Sequence, residues 1–301
     1  VEVEQWDATN EKALLWVSRD NWEIASDSDT EIYLYFDSTA DDNTAYVGDP
    51  GDRTEVWNSD YEAVYTMAQD PSGGTDCIID STGNGNHGTP HGSMAPGDLV
   101  NGRIGKAIAF DGVANYIDCG SGLGELKEFS VFSTFYSEKA TGEIAQQYYR
   151  HTSYEEGWIL SYGTHSEAAA LTHRENTLAL AVGSGSNVND AAVVSADENL
   201  YNTNSWEWGA VTYKDDPGDT NILIEGESKT QGSRPGISYG LGTDLFIGRK
   251  APNDSKYFIS WFQGKIESLK IGSTVFSNAL PIHFQCRPAA ASQTKATHRN
   301  G

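Results

Sequence analysis

The chain has 301 residues and carries 43 Asp and Glu against 20 Lys and Arg, a formal charge of −23 at pH 7. That length supports one large or two modest domains with proper hydrophobic cores. No Lys/Arg cluster is present, which excludes nucleic acid and anionic membrane surfaces as partners, and no run approaches the roughly 18 apolar residues of a membrane helix, so no membrane insertion is expected.

Glycine is abundant, at 31 residues, and helical periodicity is nearly absent. Short alternating segments bounded by turn residues read as all-β. In chain order, strands are expected over residues 1–6, 13–17, 31–36, 107–110, 116–119, 130–136, 158–162, 177–182, 206–213, 221–225, 245–248 and 264–271. Explicit turn chemistry separates them. Asp215-Asp216-Pro217-Gly218-Asp219 reads as a hairpin loop, and Asp111-Gly112 and Gly83-Asn84-Gly85-Asn86 read as tight turns, because Gly and Asn tolerate positive φ.

Three regions follow from this pass. Residues 1–60 form an N-terminal β-region, with Trp16, Trp22, Tyr33, Tyr35 and Phe36 at strand-like spacing and a polar linker or loop over 37–60. Residues 61–280 form the main domain, and residues 281–301 an irregular C-terminal tail. No basic n-region followed by an apolar h-region opens the chain, and Val1 already stands in an expected strand. The sequence therefore reads as a processed mature protein or a partial one. High Asn, Asp, Ser, Thr and Gly content with few Lys points to an extracellular or cell- or virion-surface location.

Several ordered stretches share one resemblance. They are Asp80-Ser81-Thr82-Gly83-Asn84-Gly85-Asn86-His87-Gly88-Thr89, Gly105-Lys106-Ala107-Ile108-Ala109-Phe110-Asp111-Gly112 with Tyr116-Ile117, and Phe129-Ser130-Val131. Trp206-Glu207-Trp208-Gly209-Ala210-Val211-Thr212-Tyr213, Leu245-Phe246-Ile247-Gly248 and Phe262-Gln263-Gly264-Lys265-Ile266-Glu267 follow. In this order and spacing, over about two thirds of the chain, they resemble the LamG-like jelly-roll family, a branch of the concanavalin A-like lectin/glucanase fold. The resemblance implies an all-β jelly-roll sandwich of the concanavalin/laminin-G type. The physical reading agrees: the Trp206–Tyr213 run alternates inward apolar and outward polar residues, and Gly264 allows a close backbone approach. The first region, through Ala13-Leu14-Leu15-Trp16-Val17 and Asp29–Phe36, is similar to the end of a β-domain of unknown function that often precedes such modules in microbial and viral surface proteins.

Calcium needs several hard oxygen ligands, which Asp and Asn side chains and turn carbonyls supply at short spacing. LamG-like jelly rolls often hold a structural calcium near such a turn. The resemblance thus implies Ca2+ on Asp80, Asn84 and Asn86, with Glu267 contributing from the closing strand; the alternative is an Asx-turn that ends a strand. His87 and His91 lack further ligands and read as solvent-facing loop histidines. Cys77, Cys119 and Cys286 match no zinc spacing. Cys77 and Cys119 could pair if their strands are neighbours, or be small buried apolar residues.

Glycoside hydrolysis needs two carboxylates about 5 to 10 Å apart. Neither carboxylate spacing of the glucanase branch occurs on an expected strand, and Glu143, Glu155 and Glu156 read as loop carboxylates with no second carboxylate at strand spacing. No nucleophile elbow, P-loop or dinucleotide fingerprint is present. Core packing is preferred for Trp158, Trp206, Trp208 and Trp261, while the loop tyrosines Tyr148, Tyr149 and Tyr154 are the candidate ligand contacts, by the stacking logic that also makes Tyr257 and Phe258 possible ones. The expected function is a non-enzymatic binding or adhesion module recognising glycan or protein on a surface. The alternatives are a self-associating structural subunit of an extracellular filament or viral appendage, and, further off, a polysaccharide-acting enzyme or its accessory domain.

Overall fold

The computed structural model describes residues 1–7, 9–10, 12–18, 56–150, 154–164, 174–185, 192–195, 200–215, 219–224, 227–233, 236–239, 243–249, 261–275 and 283–286. The expectations for Trp22, Tyr33, Tyr35 and Phe36, for the linker up to residue 55, and for Tyr257 and Phe258 lie outside the described residues. Two units are present: Trp57–Leu280, and a smaller one that joins Val1–Val56 to Pro281–Gly301.

The smaller unit holds a three-stranded antiparallel sheet. β1 (Glu2–Asp7) pairs with β2 (Lys12–Trp16), and the other edge of β2 pairs with the strand His283–Cys286. The C-terminal stretch is therefore not wholly an irregular tail. Its four-residue strand finds an open edge in β2, with His283 opposite Trp16 and Cys286 opposite Ala13, and that partner lies too far away in sequence for local pattern to reveal.

The larger unit is an all-β jelly-roll sandwich. Its strands are β3 (Tyr61–Tyr65), β4 (Thr89–His91), β5 (Leu99–Asn101), β6 (Lys106–Asp111), β7 (Tyr116–Asp118), β8 (Glu128–Ser137) and β9 (Gly142–Arg150). β10 (Glu155–Thr164), β11 (Arg174–Ser184), β12 (Ala192–Ser195), β13 (Trp206–Lys214), β14 (Asp219–Ile224), β15 (Glu227–Ser233), β16 (Phe246–Ile247) and β17 (Gln263–Gly272) complete it. One sheet runs β12-β11-β10-β9-β16-β7-β4. The other runs β15-β14-β13-β8-β17-β6-β5, with β3 lying beside the second half of β17.

Alternation along each strand sends one set of side chains into the space between the sheets. Phe129, Val131 and Phe135 of β8 and Val211 and Tyr213 of β13 enter from one side; Trp158, Leu160 and Tyr162 of β10 and Leu178, Leu180 and Val182 of β11 enter from the other. Their rings meet across the seam. Phe129 lies 5.5 Å from Trp158, and Phe135 meets Tyr162 edge-on at 5.5 Å. Gly264 fits the expected close approach, since a Cβ there would stand 2.0 Å from the Tyr136 carbonyl oxygen.

β9 escaped the sequence reading because it has no alternation: Ile144, Ala145, Gln146, Gln147 and Tyr148 are all buried in succession. A strand covered on both faces reads as a run, and here the run is partly polar.

Trp158 has no exposed surface, and its Nε1–H donates to Gln147 Oε1 at 3.2 Å. Replacing it by Ala leaves a ring-sized cavity and removes that bond, so Trp158→Ala is expected to lower unfolding stability by about 3–5 kcal/mol in urea titrations, with Trp158→Phe losing clearly less.

Candidate ligand-binding site

The site is built on the segment that leads from residue 80 into β4. The Asp80 carboxylate is fully buried and gathers the segment around itself. Oδ1 accepts from the backbone N–H of Val64 (3.0 Å) and of Thr82 (3.0 Å), Oδ2 accepts from Asn86 N–H (3.0 Å), and the Thr82 hydroxyl lies 2.8–2.9 Å from both oxygens. The Asp80 N–H in turn donates to His87 Nδ1 at 3.0 Å. Asn84 and Asn86 direct their amide Nδ2 groups to the carbonyls of Tyr61 and Glu62, tying the turn to β3. The turn itself needs a left-handed residue, and Gly85 supplies it at φ 75°.

These residues do not fit the calcium ion that the sequence reading placed on them. Both Asp80 oxygens already accept from N–H and O–H donors. Glu267 is engaged with a different loop, its Oε1 accepting from Ile104 N–H (2.7 Å) and Gly105 N–H (2.9 Å). Among the described residues no group of three or more His, Cys, Asp and Glu side chains could hold a metal ion. Asp80 is an organiser of the turn, the Asx-type alternative.

The organised turn forms one wall of a cleft of about 340 Å³, lined among others by Asp76, Asn86, His87, His91, Asp118 and Gly122. Asp76 stands at its rim with φ 55°, held by the Thr89 hydroxyl, which lies 3.0 Å from its N–H and 3.2 Å from its Oδ1. His91 is neither in a loop nor bare. It lies in β4, stacked on Tyr116 of β7 with ring centroids 4.7 Å apart and planes 9° from parallel.

Tyr116 is the centre of an aromatic platform next to the cleft. Trp261 meets it edge-on at 5.7 Å and Phe246 at 6.0 Å, and the Arg249 guanidinium lies over both Tyr116 (4.6 Å) and Phe246 (4.5 Å). Tyr116, Trp261, His91 and Arg249 are each half-buried. The placement follows from register. Ile117 and Ile247 point into the core, so Tyr116, Asp118, Phe246 and Asp244 face outward from the seven-stranded sheet. Asp111 prepares the approach to Tyr116: its Oδ1 accepts from Val113, Ala114 and Asn115 N–H at 2.8–3.0 Å. Partial burial raises the Asp111 carboxyl, but these amides outweigh it and hold it below its ordinary range. Asp244 shows the opposite balance. Burial raises its pKa, the charge of Asp118 adds to the rise, and Arg249 opposes both without reversing them.

Gln146 of β9 stands opposite Phe246, fully buried, with Oε1 accepting from Tyr148 N–H. Its Nε2 has no hydrogen-bond partner among the described residues.

The tyrosines chosen from sequence fare unevenly. Tyr148 is in β9, not in a loop, and is only 2% exposed, so it offers no open ring face. Tyr149 is also in β9, and Tyr154 directly precedes β10; both are half-buried. Trp158 is core as expected. Trp206 and Trp208 are not: with Val211 and Tyr213 pointing inward, they lie half-buried on the outer face of the other sheet, against Tyr136 and Phe132. Glu143, Glu155 and Glu156 are buried strand residues of β9 and β10. Cys77 and Cys119 are free thiols, not a bridge; loss of hydration on burial pushes the Cys119 pKa well up, and the neighbouring Tyr65 hydroxyl opposes that rise without reversing it.

No family model matches the sequence, and no curated protein sequence matches it. Solved structures share parts of its architecture. Domain 4 of AbnA, an extracellular GH43 arabinanase of Geobacillus stearothermophilus in complex with arabinotriose, is 19% identical over 72% of this chain and 93% of that one, with a TM-score of 0.49. The receptor-binding domain of a botulinum neurotoxin mosaic serotype C/D is 14% identical with a TM-score of 0.48, the match covering 73% of this chain and 49% of that one. The CBM40 of the Ruminococcus gnavus IT-sialidase, bound to α2,3-sialyllactose, is 10% identical with a TM-score of 0.41, over 57% of this chain and 91% of that one. These are distant likenesses, and the chain's own surface has to carry a functional reading.

Asp80→Ala strands three backbone N–H groups in a dry site, each worth about 1–3 kcal/mol when left unsatisfied. The variant is expected to be destabilised by at least about 3 kcal/mol in chemical denaturation. Chelator is expected to leave the melting temperature of the native protein unchanged, since an ion bound only to the folded state would raise it. A drop on chelation would restore calcium to the turn.

Proposed function

We propose that the Trp57–Leu280 unit is a non-enzymatic, laminin-G-like module that binds glycan at the Tyr116 platform and the adjoining cleft. The observation that carries this reading is the half-open cluster of Tyr116, Trp261 and His91 beside polar groups that can reach hydroxyls. Aromatic rings offer their faces or edges to the C–H faces of a sugar, and Asp76, Asn86 and Asp118 line the cleft as polar groups for its hydroxyls. Such a module works outside the cell or on a cell or virion surface, where glycan is met.

Glu143 and Glu155 are too far apart to serve together as a glycosidase pair. Glu143 is opposite Ser161 and Glu155 opposite Arg150, so they are separated by six positions of β10. At about 3.3 Å per residue that is roughly 20 Å, beyond the 5 to 10 Å of a glycosidase pair.

The reading is tested with a glycan array followed by calorimetry on the positive ligands. Tyr116→Ala and Trp261→Ala are each expected to weaken binding about three- to tenfold, as for loss of an aromatic contact, with circular dichroism and a cooperative melt showing that each variant remains folded. Unchanged affinity in both variants, or no glycan bound at all, would refute the site. Product released from a bound polysaccharide, and lost in Asp244→Asn, would make the module an enzyme.

A further inference from the structure

We propose that this site selects glycans without acidic groups and rejects their uronate, sialylated or sulfated counterparts; the proposal rests on the glycan-binding reading of the platform. Its basis is the sign and arrangement of the charges around the rings. Asp76 and Asp118 line the cleft. Asp244 stands next to Asp118 across the β7–β16 pair, because Phe246 is directly opposite Asp118 and Asp244 lies two positions further along on the same outward face. Residues so placed are diagonal neighbours, roughly 7 Å apart.

Against these three carboxylates the described contacts set one guanidinium. The Arg249 guanidinium lies 4.6 Å from the centre of the Tyr116 ring and 4.5 Å from that of Phe246, so its charge is shared between the rings and the acids. His91 approaches Asp118 only to 4.0 Å. Burial is the main reason that Asp244 holds its proton more tightly; the Asp118 charge adds to the effect and Arg249 opposes it. The chain as a whole carries a formal charge of −23.

A neutral sugar meets only acceptors and ring faces here. A carboxylated sugar in the same pose brings a negative charge to within about 8 Å of a net negative cluster, inside the screening length of physiological salt. At the effective dielectric of a half-buried site, that repulsion corresponds to at least about a tenfold loss of affinity. Arg249 is the group that could reverse this preference, by turning from the rings to pair with a ligand carboxylate in bidentate fashion. Its double ring contact and its proximity to Asp244 favour the first outcome.

The experiment compares paired oligosaccharides that differ only at C6, neutral hexose against C6-uronate, on glucose, galactose and mannose backbones. The intact chain is used at low and at 0.5 M salt (on the order of a 4 Å screening length). The neutral member of any bound pair is expected to bind at least about tenfold more tightly than its uronate. High salt narrows the gap by raising uronate affinity alone, and the near-isosteric double variant Asp118→Asn/Asp244→Asn narrows it at low salt. Uronate binding equal to or tighter than neutral, and lost in Arg249→Gln, would overturn the proposal and make Arg249 an acid receptor. A gap that persists unchanged in the double variant would also overturn it, since the rejection would then be steric. If neither member of any pair binds, or Tyr116→Ala and Trp261→Ala leave binding unchanged, the glycan reading itself fails, and that result is distinct from either of these.

Discussion

The aromatic seam between the two sheets is the constraint from which the other features follow. Phe129 and Phe135 from one side meet Trp158 and Tyr162 from the other, and Phe262 packs edge-on against Phe135. Rings of this size bury 150–250 Å² each and dominate the energetics of a core. Once they face inward, the two-residue period of a strand decides the direction of every neighbour, and a slip of one residue would turn the whole set to solvent. The outward set on β7 and β16 is therefore a consequence of the core. Tyr116 and Asp118 face out because Ile117 faces in, and Asp244 and Phe246 face out because Leu245 and Ile247 face in.

A second consequence concerns polar groups. Buried carboxylates and amides persist only when their hydrogen bonds are made, and the chain uses them as fasteners for loops. Asp80 ties its turn to β3, Glu267 holds the 104–105 bend, and Asp111 closes the turn that carries the chain from β6 in one sheet to β7 in the other. The first two are the carboxylates that the sequence marks as cation ligands. The distinction lies in what the oxygens face. Around Asp80 the N–H and hydroxyl donors take up the lone pairs that a metal would need, and donors from backbone amides are invisible in a residue pattern.

Turns stiffened in this way let a shallow surface behave as a preorganised site. The cleft wall from residue 80 to His91 is anchored by Asp80 and by the β4–β7 pairing, and its other side is strand. Little has to be ordered on binding, which is the main way a small contact area keeps its affinity.

Local sequence sufficed for the all-β class, for most strands of the larger unit and for the tight turns at Gly83–Asn86 and Asp111-Gly112. Alternation and turn chemistry are properties of a few consecutive residues. It sufficed for Trp158 as core, but not for Trp206 and Trp208, since both faces of a strand can carry tryptophan and only the neighbouring strands decide which is covered. It failed for β9, whose two buried faces erase the period, and for Tyr148, which that strand carries inward from solvent. The site was not legible at all as a set. Tyr116 and Asp118 stand on one strand, Asp244, Phe246 and Arg249 on or beside another far along the chain, and Trp261 further still. Antiparallel pairing of β7 with β16 brings them together, and pairing between distant strands is a property of the packed sandwich, not of any window of sequence.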